Sequence, residues 1–100
     1  KINPKGTSVS KVKAGKKRMT VKWKKLSKTY VTGYQIQYST DKKFKKSVKT
    51  STVTKYKTSS KTIKKLKAKK KYYVRIRTYK KVGSVKYYSG WSKVKSVKVK

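Results

Sequence analysis

The chain has no cysteine, no histidine and no glutamate, and one aspartate, Asp41, stands against 34 lysines and arginines in 100 residues. The missing cysteines exclude disulfides and thiolate metal sites. One carboxylate cannot supply the oxygen ligands of a calcium site or the carboxylate pair of a glycosidase. A lysine nucleophile is chemically conceivable, but nothing singles out one lysine among so many. We therefore expect no enzyme: the composition predicts no catalytic residue, no metal site and no cofactor.

Long apolar runs are missing as well. No stretch of the sequence is long and apolar enough to span a bilayer, so no transmembrane segment is predicted. No signal peptide is visible either. One hundred residues suit a single domain. The chain begins at Lys1 without an initiator methionine, and we expect residues 1–100 to be one domain of a longer, multidomain protein.

The sequence does carry apolar residues that alternate with polar ones at period two. The clearest runs are residues 19–23, 34–38 and 72–76, and weaker ones are residues 9–13, 48–55, 60–65 and 92–98. Turn residues separate them, for example at Thr32-Gly33 and Val82-Gly83-Ser84. Alternation of this kind is typical of half-buried strands, and no window shows a helical stripe. The pattern predicts an all-β fold, a seven-stranded antiparallel β-sandwich.

These landmarks resemble a fibronectin type III domain along nearly the whole chain. The second strand of that family usually carries a core tryptophan, here Trp23, and its third strand reads like Gly-Tyr-Gln-Ile-Gln-Tyr at residues 33–38. Leu66 precedes Tyr72 by six residues, and a strand ending in Val-Arg-Ile-Arg follows. The resemblance implies a tyrosine corner, in which the Tyr72 hydroxyl bonds back to the backbone near Leu66. The chain departs from the family at Ala68 and Lys69, where proline and glycine are usual.

Strand phases and resemblance together predict the core, and the resemblance also implies a setting. The predicted core residues are Trp23, Tyr34, Ile36, Leu66, Tyr72, Val74 and Ile76. The run Gly-Tyr-Gln-Ile-Gln-Tyr-Ser-Thr, followed by Lys-Lys-Phe-Lys, is similar to lysine-rich type III modules in secreted, multidomain surface proteins of Gram-positive gut bacteria. Such modules act as spacers or adhesive accessories. The likeness implies a secreted, cell-wall location and neighbouring domains in the same chain.

One further motif, Tyr88-Ser-Gly-Trp91-Ser, is similar to the Trp-Ser-x-Trp-Ser box of cytokine-receptor type III domains. In that family the indoles interleave with arginines of the neighbouring strand. The resemblance implies a structural ladder in which Trp91 stacks between Arg75 and Arg77, with Tyr88 or Tyr73 extending it. The alternative is that Trp91 is a platform for a sugar ring or a base.

The lysine surface leaves several interpretations open. The first is a non-catalytic, highly cationic extracellular spacer or adhesion module that associates electrostatically with anionic cell-wall polymers or acidic glycans. The second is a general polyanion or nucleic-acid-binding protein without sequence specificity, with exposed Tyr73, Tyr79 or Tyr87 stacking on bases. A third interpretation is a structural subunit or repeat of a surface fibre. In the simplest interpretation the domain is a passive spacer whose lysines only keep it soluble, and its extreme charge is either natural or deliberately engineered.

The first interpretation is the one we prefer, because a diffuse lysine surface suits a polymer that needs no single pocket. We expect its contacts to be collective, so that no one lysine is essential. The candidate contact residues are Lys22, Lys24, Lys25, Lys69, Lys70, Lys71, Lys80, Lys81 and Lys86.

Overall fold

Eight β-strands follow one another along residues 4–100, the part of the chain that the computed structural model describes. Their bounds are β1 (Val9–Gly15), β2 (Arg18–Trp23), β3 (Gly33–Ser39), β4 (Lys49–Val53), β5 (Ser60–Ile63), β6 (Lys71–Val82), β7 (Val85–Tyr88) and β8 (Lys95–Lys98). One antiparallel sheet has the order β1-β2-β5. The other has the order β4-β3-β6-β7, and β8 also pairs with β6. The prediction of an all-β antiparallel sandwich is confirmed.

The strand count differs from the seven that the sequence predicts, because the last edge of the larger sheet is built from two strands. The 12-residue β6 pairs with β7 over residues 79–82 and with β8 over residues 71–74. Between them, residues 89–94 leave the regular ladder. The sequence pattern missed β7 because its four residues lie on an edge and show no clean alternation of burial.

The core lies between the two sheets and follows the inward phase of the strands. The seven residues predicted for it are each at most 7% exposed. The rings of Trp23 and Tyr34 pack at a centroid distance of 5.4 Å with a tilt of 56°. The Tyr34 hydroxyl accepts a hydrogen bond from the Leu26 N–H at 2.7 Å and donates one to the Tyr56 carbonyl at 2.8 Å. This one side chain therefore ties two loops to the core.

The tyrosine corner implied by the resemblance is formed at Tyr72. Its hydroxyl accepts a hydrogen bond from the backbone N–H of Lys67, next to Leu66, at 2.9 Å. In the same turn Lys69 has a φ of 61°, the left-handed conformation that favours glycine. The Lys69 N–H donates to the Val99 carbonyl at 2.8 Å, which keeps the lysine in that conformation despite the steric cost.

The loops gather at two ends of the sandwich. Because Gly33 pairs with Tyr79 and Ser39 pairs with Tyr73, β3 runs from the tip of the β6–β7 hairpin toward the start of β6. We call the end that holds the tip of the β6–β7 hairpin the hairpin end. It carries the loops at residues 24–32, 54–59 and 83–84. The opposite end carries residues 16–17, 40–48 and 64–70, and therefore holds Asp41, the one acidic side chain of the sequence.

Candidate functional site

A stack of aromatic rings and guanidinium groups crosses the outer face of the larger sheet. The Cζ atom of Arg75 lies 4.3 Å from the ring centroid of Phe44 and 4.5 Å from that of Trp91. The Cζ atom of Arg77 lies 4.4 Å from the Trp91 ring and 3.9 Å from the Tyr88 ring. The order is therefore Phe44, Arg75, Trp91, Arg77 and Tyr88. We call these five residues the ladder.

Glutamines of the neighbouring strand hold both arginines. The register places Gln37 beside Arg75 and Gln35 beside Arg77. The Gln37 Oε1 atom accepts hydrogen bonds from Nε and Nη2 of Arg75, and the Gln35 Oε1 atom accepts one from Arg77 Nε at 2.9 Å. Desolvation by burial, together with the charge of Arg77, lowers the pKa of Arg75. The neutral amides orient the two like charges without neutralising them.

The segment that carries Trp91 is fastened to β6 by both backbone and side chains. The N–H groups of Ser89 and Ser92 donate to the carbonyls of Thr78 and Ile76 at 3.0 and 2.8 Å. In return, the Ser89 and Ser92 hydroxyls accept from the N–H groups of Thr78 and Ile76 at 2.9 and 3.0 Å. In the gap between β7 and β8 the two serines thus provide the hydrogen bonds to β6 that a regular strand would make. They hold Trp91 over the arginines.

Asp41 positions the other end of the ladder. Its carboxylate accepts backbone hydrogen bonds from Lys43 at 3.0 Å, Lys45 at 2.9 Å and Lys46 at 3.1 Å. These bonds lower the pKa of Asp41, and the positive charge of Lys46 adds to the effect. Within this turn Phe44 adopts a φ of 56°, and its ring lies against Arg75. The lone acid therefore caps the turn that carries Phe44.

The sequence pattern pointed to four members of the ladder and missed the fifth, Phe44, and it also missed the two glutamines that hold the arginines, Gln35 and Gln37. The two glutamines occupy the outward phase of β3, a signal that was present but looked like an ordinary wet strand face. Phe44 could not be found in this way, because its place depends on the left-handed turn after Asp41.

The tyrosines expected to be exposed behave differently from one another. Tyr73 and Tyr87 are half-buried. The expectation that Tyr79 is exposed is wrong, since it is only 3% exposed. Its ring lies over Gly33, where an added Cβ would come within 2.8 Å of the Tyr79 hydroxyl oxygen, and it packs against Tyr88 at a centroid distance of 6.2 Å. It is therefore closed to a stacking base.

The candidate lysines do not converge on one surface. Lys22 lies on the outer face of the smaller sheet, while Lys24, Lys25, Lys80, Lys81 and Lys86 lie at or near the hairpin end. The other three, Lys69, Lys70 and Lys71, lie at the opposite end. Eight of the nine are exposed, and Lys80, whose Nζ donates to the Lys28 carbonyl at 2.7 Å, is half-buried. Any shared role is that of a distributed charge.

Lysines also face one another directly across neighbouring strands. Among residues 4–100 the register contains three such pairs, Lys11 with Lys22, Lys71 with Lys98, and Lys81 with Lys86, and all six side chains are exposed. Side chains paired in this way have Cβ atoms about 4.5–5.5 Å apart, and like charges there destabilise a sheet. We call them the lysine pairs. Each is a place where a bound anionic group would relieve repulsion within the fold.

The two packed antiparallel sheets and the tyrosine corner define an immunoglobulin-like β-sandwich. The sequence matches the family model of the fibronectin type III domain over residues 3–95, and the chain belongs to that family. Fibronectin type III domains are generally non-catalytic, and they are common as spacer and adhesion modules in extracellular and cell-surface proteins. No curated protein sequence matches the chain.

Several solved structures share the fold. The FN1–FN3 domains of chicken CNTN1 superpose with a TM-score of 0.75 at 21% identity, over 94% of this chain and 31% of that one. The fn3 domain of human contactin 1 gives a TM-score of 0.78 at 18% identity, over 100% of this chain and 82% of that one. A beta-1,2-glucanase from Parabacteroides distasonis superposes with a TM-score of 0.73 at 18% identity, over 99% of this chain and 13% of that one. At such identities the likeness shows the fold alone. Within residues 4–100 there is no helix with the length and apolarity needed to cross a membrane.

Proposed function

We propose that this domain is a non-catalytic spacer or adhesion module of a secreted bacterial surface protein, and that it associates electrostatically with anionic cell-wall polymers or acidic glycans. The three lysine pairs carry the proposal. A fold that only needed solubility could place its lysines apart, whereas directly opposed ammonium groups lower stability. A polyanion lying across a pair binds two charges at once and removes that repulsion, so binding and stability are coupled.

The distribution of charge supports a polymer in preference to a small ligand. The lysine pairs lie on three separate parts of the surface, one on the smaller sheet and one toward each end of the larger sheet. A polymer can contact such sites in turn, while a small anion can meet only one of them. Lysine also presents a mobile point charge rather than the planar fork that fixes a particular phosphate or base. This favours collective, non-specific association.

The ladder, in this proposal, stabilises the sheet and binds no ligand. Arg75 and Arg77 are two residues apart on β6, and both lie within 4.5 Å of the Trp91 centroid, so the indole sits between them. Both faces of the ring are then covered. A sugar or base that stacked on Trp91 would have to displace a guanidinium that Gln35 or Gln37 also holds.

The test is capture of the domain by purified Gram-positive wall sacculi, with and without teichoic acid, across a salt series. We expect capture at low salt that disappears when teichoic acid is removed or salt is raised. A triple variant, Lys11→Glu, Lys81→Glu and Lys98→Glu, reverses one charge in each lysine pair and should weaken capture far more than any of the single changes. Equal capture of teichoic-acid-free sacculi would contradict the proposal, as would loss of binding from one single change.

Nucleic acid is the alternative polyanion, and a passive spacer is the alternative role. Binding to single-stranded oligonucleotides, measured in the same salt series, tests the nucleic-acid alternative. Tighter binding to the oligonucleotides than to sacculi would favour nucleic acid as the partner. No capture at any salt concentration would leave a passive spacer or a fibre subunit. We further propose that residues 1–100 form one domain with neighbours in a longer chain.

A further inference from the structure

The β6–β7 hairpin exposes apolar side chains at its tip. Val82 and Val85 face each other across the last rung, at 45% and 50% exposure, and Gly83 turns the chain between them with a φ of 62°. Residues 81–86 are all exposed. These two β-branched apolar side chains contribute little to the core and together form a small exposed apolar point at the end of the hairpin.

Positive charge surrounds this tip. Lys81 and Lys86 form the rung directly behind the valines, and Lys80 lies one rung further along β6. The neighbouring loop is fixed at the same end, since the Thr32 N–H donates to the Tyr79 carbonyl at 2.7 Å and the Lys81 N–H donates to the Thr32 hydroxyl at 2.9 Å. That loop adds Lys28 and Tyr30, whose side chain is 50% exposed.

The only acidic side chain of the sequence, Asp41, lies at the opposite end of the sandwich. The hairpin end therefore combines an apolar point, an exposed tyrosine and a collar of lysines with no carboxylate side chain. An anionic bilayer surface matches each part: acyl chains receive the valines, the interface suits tyrosine, and lysines pair with headgroups while their stems remain partly apolar. A hydrated wall polymer offers no apolar phase for the valines.

We propose that the tip of the β6–β7 hairpin inserts into the surface of a bilayer that contains anionic phospholipids, with the flanking lysines bound to the headgroups. This interaction is separate from the binding of wall polymers, because it depends on Val82 and Val85 as well as on charge. It also orients the domain, with the hairpin end at the membrane and the opposite end away from it.

The absence of cysteine makes a direct test simple. Ser84→Cys places a single thiol at the hairpin tip for an environment-sensitive fluorophore, and Lys67→Cys places the matched control at the opposite end. With vesicles of phosphatidylcholine and phosphatidylserine we expect a blue shift at position 84 and none at position 67. Vesicles of phosphatidylcholine alone should give no shift at physiological salt, because two valines without charge attraction bind weakly.

A second experiment separates insertion from simple charge attraction. The double variant Val82→Ser, Val85→Ser removes the apolar tip and keeps every lysine, and Val94→Ser changes an exposed valine, 43% exposed, outside the hairpin. Burying the exposed halves of two valines corresponds to about tenfold in vesicle affinity, so we expect about a tenfold loss for the double variant and no change for Val94→Ser. Binding to soluble inorganic polyphosphate should be the same for all three proteins.

Two results would overturn the inference while leaving the proposed wall association intact. One is equal vesicle binding by the double variant and the unaltered domain, which would make the contact purely electrostatic. The other is a label at position 84 that stays in water when the domain is bound to anionic vesicles. Thermal unfolding of each variant checks that the sandwich is retained, since residues 82–85 lie outside the core.

Discussion

Relieving the lysine pairs should stabilise the domain by more than the loss of net charge explains. The perturbation replaces one lysine of each pair by glutamate: Lys11→Glu, Lys98→Glu and Lys81→Glu, each opposite an unchanged lysine. Lys57→Glu is the matched control, because it makes the same change in net charge at an exposed loop position. The comparison therefore isolates the cross-strand interaction.

The size of the effect follows from the spacing. Two unit charges about 6 Å apart in a solvent-like dielectric interact by about 0.7 kcal/mol. Measured cross-strand charge pairs fall at roughly 0.2–1 kcal/mol. Exchanging a repulsion for an attraction counts this interaction twice, so we expect each paired substitution to exceed Lys57→Glu by about 0.5–1.5 kcal/mol. In a domain of this size 1 kcal/mol corresponds to a shift in Tm of about 4–8 °C.

The assay is urea and thermal unfolding at low and at moderate salt. The excess stability of the paired variants should shrink as salt rises, because exposed charges at this spacing are partly screened. The unaltered domain should itself become more stable with salt, since its net charge of +33 opposes the compact state. If Lys57→Glu stabilises as much as the paired substitutions, the repulsion is a property of the net charge and the argument from register is wrong.

Three further predictions concern the ladder and two turns. Arg75→Lys should cost about 1–2 kcal/mol in urea unfolding, since it removes two stacked contacts and the fork that Gln37 accepts, whereas Arg18→Lys, at an exposed arginine, should cost almost nothing. The pKa of Asp41 is lowered in the folded state, so its contribution to stability is present above the ordinary carboxyl pKa and is lost as pH falls through the folded value. Asp41→Asn should reduce the loss of thermal stability between pH 6 and pH 2. An unchanged dependence of Tm on pH would show that groups other than Asp41 cause that loss. Lys69→Gly should stabilise by about 0.5–1 kcal/mol because the φ of 61° suits glycine, and Lys70→Gly, the adjacent control, should not.

Much of the fold could be predicted because a strand with one buried face has apolar and polar residues that alternate along its own sequence. Met19, Val21 and Trp23 alternate with exposed or half-exposed residues, and the structure buries all three. The same logic fails where the covering atoms come from elsewhere. Tyr79 lies on the outer phase of β6, yet Gly33 leaves room for its ring and Tyr88 covers it. The alternation of residues within β6 cannot predict this burial, because Gly33 and Tyr88 belong to other strands.

The ladder divides in the same way between local and distant information. The motif around Trp91 and the alternation of Arg75 with Ile76 are legible in the sequence, whereas the contact of Phe44 depends on a left-handed turn whose cap is Asp41. The lysine pairs were equally hidden, because composition reports how many lysines there are and only the register reports which of them meet.

The different use of the two basic residue types narrows where binding can occur. Two of the three arginines are held by glutamines and stacked on aromatic rings, and replacing them by lysine would lose both planar contacts. The outer face of the larger sheet is thus closed by its own side chains around Trp91. Among the described lysines, Lys71 and Lys86 lie at 5.4 and 5.2 Å from the ring centroids of Tyr73 and Tyr79, and nearly all lysine side chains are exposed, which suits repeated weak contacts with a flexible polymer. This contrast supports the proposed charge-based contacts with a polymer over a ligand stacked on Trp91.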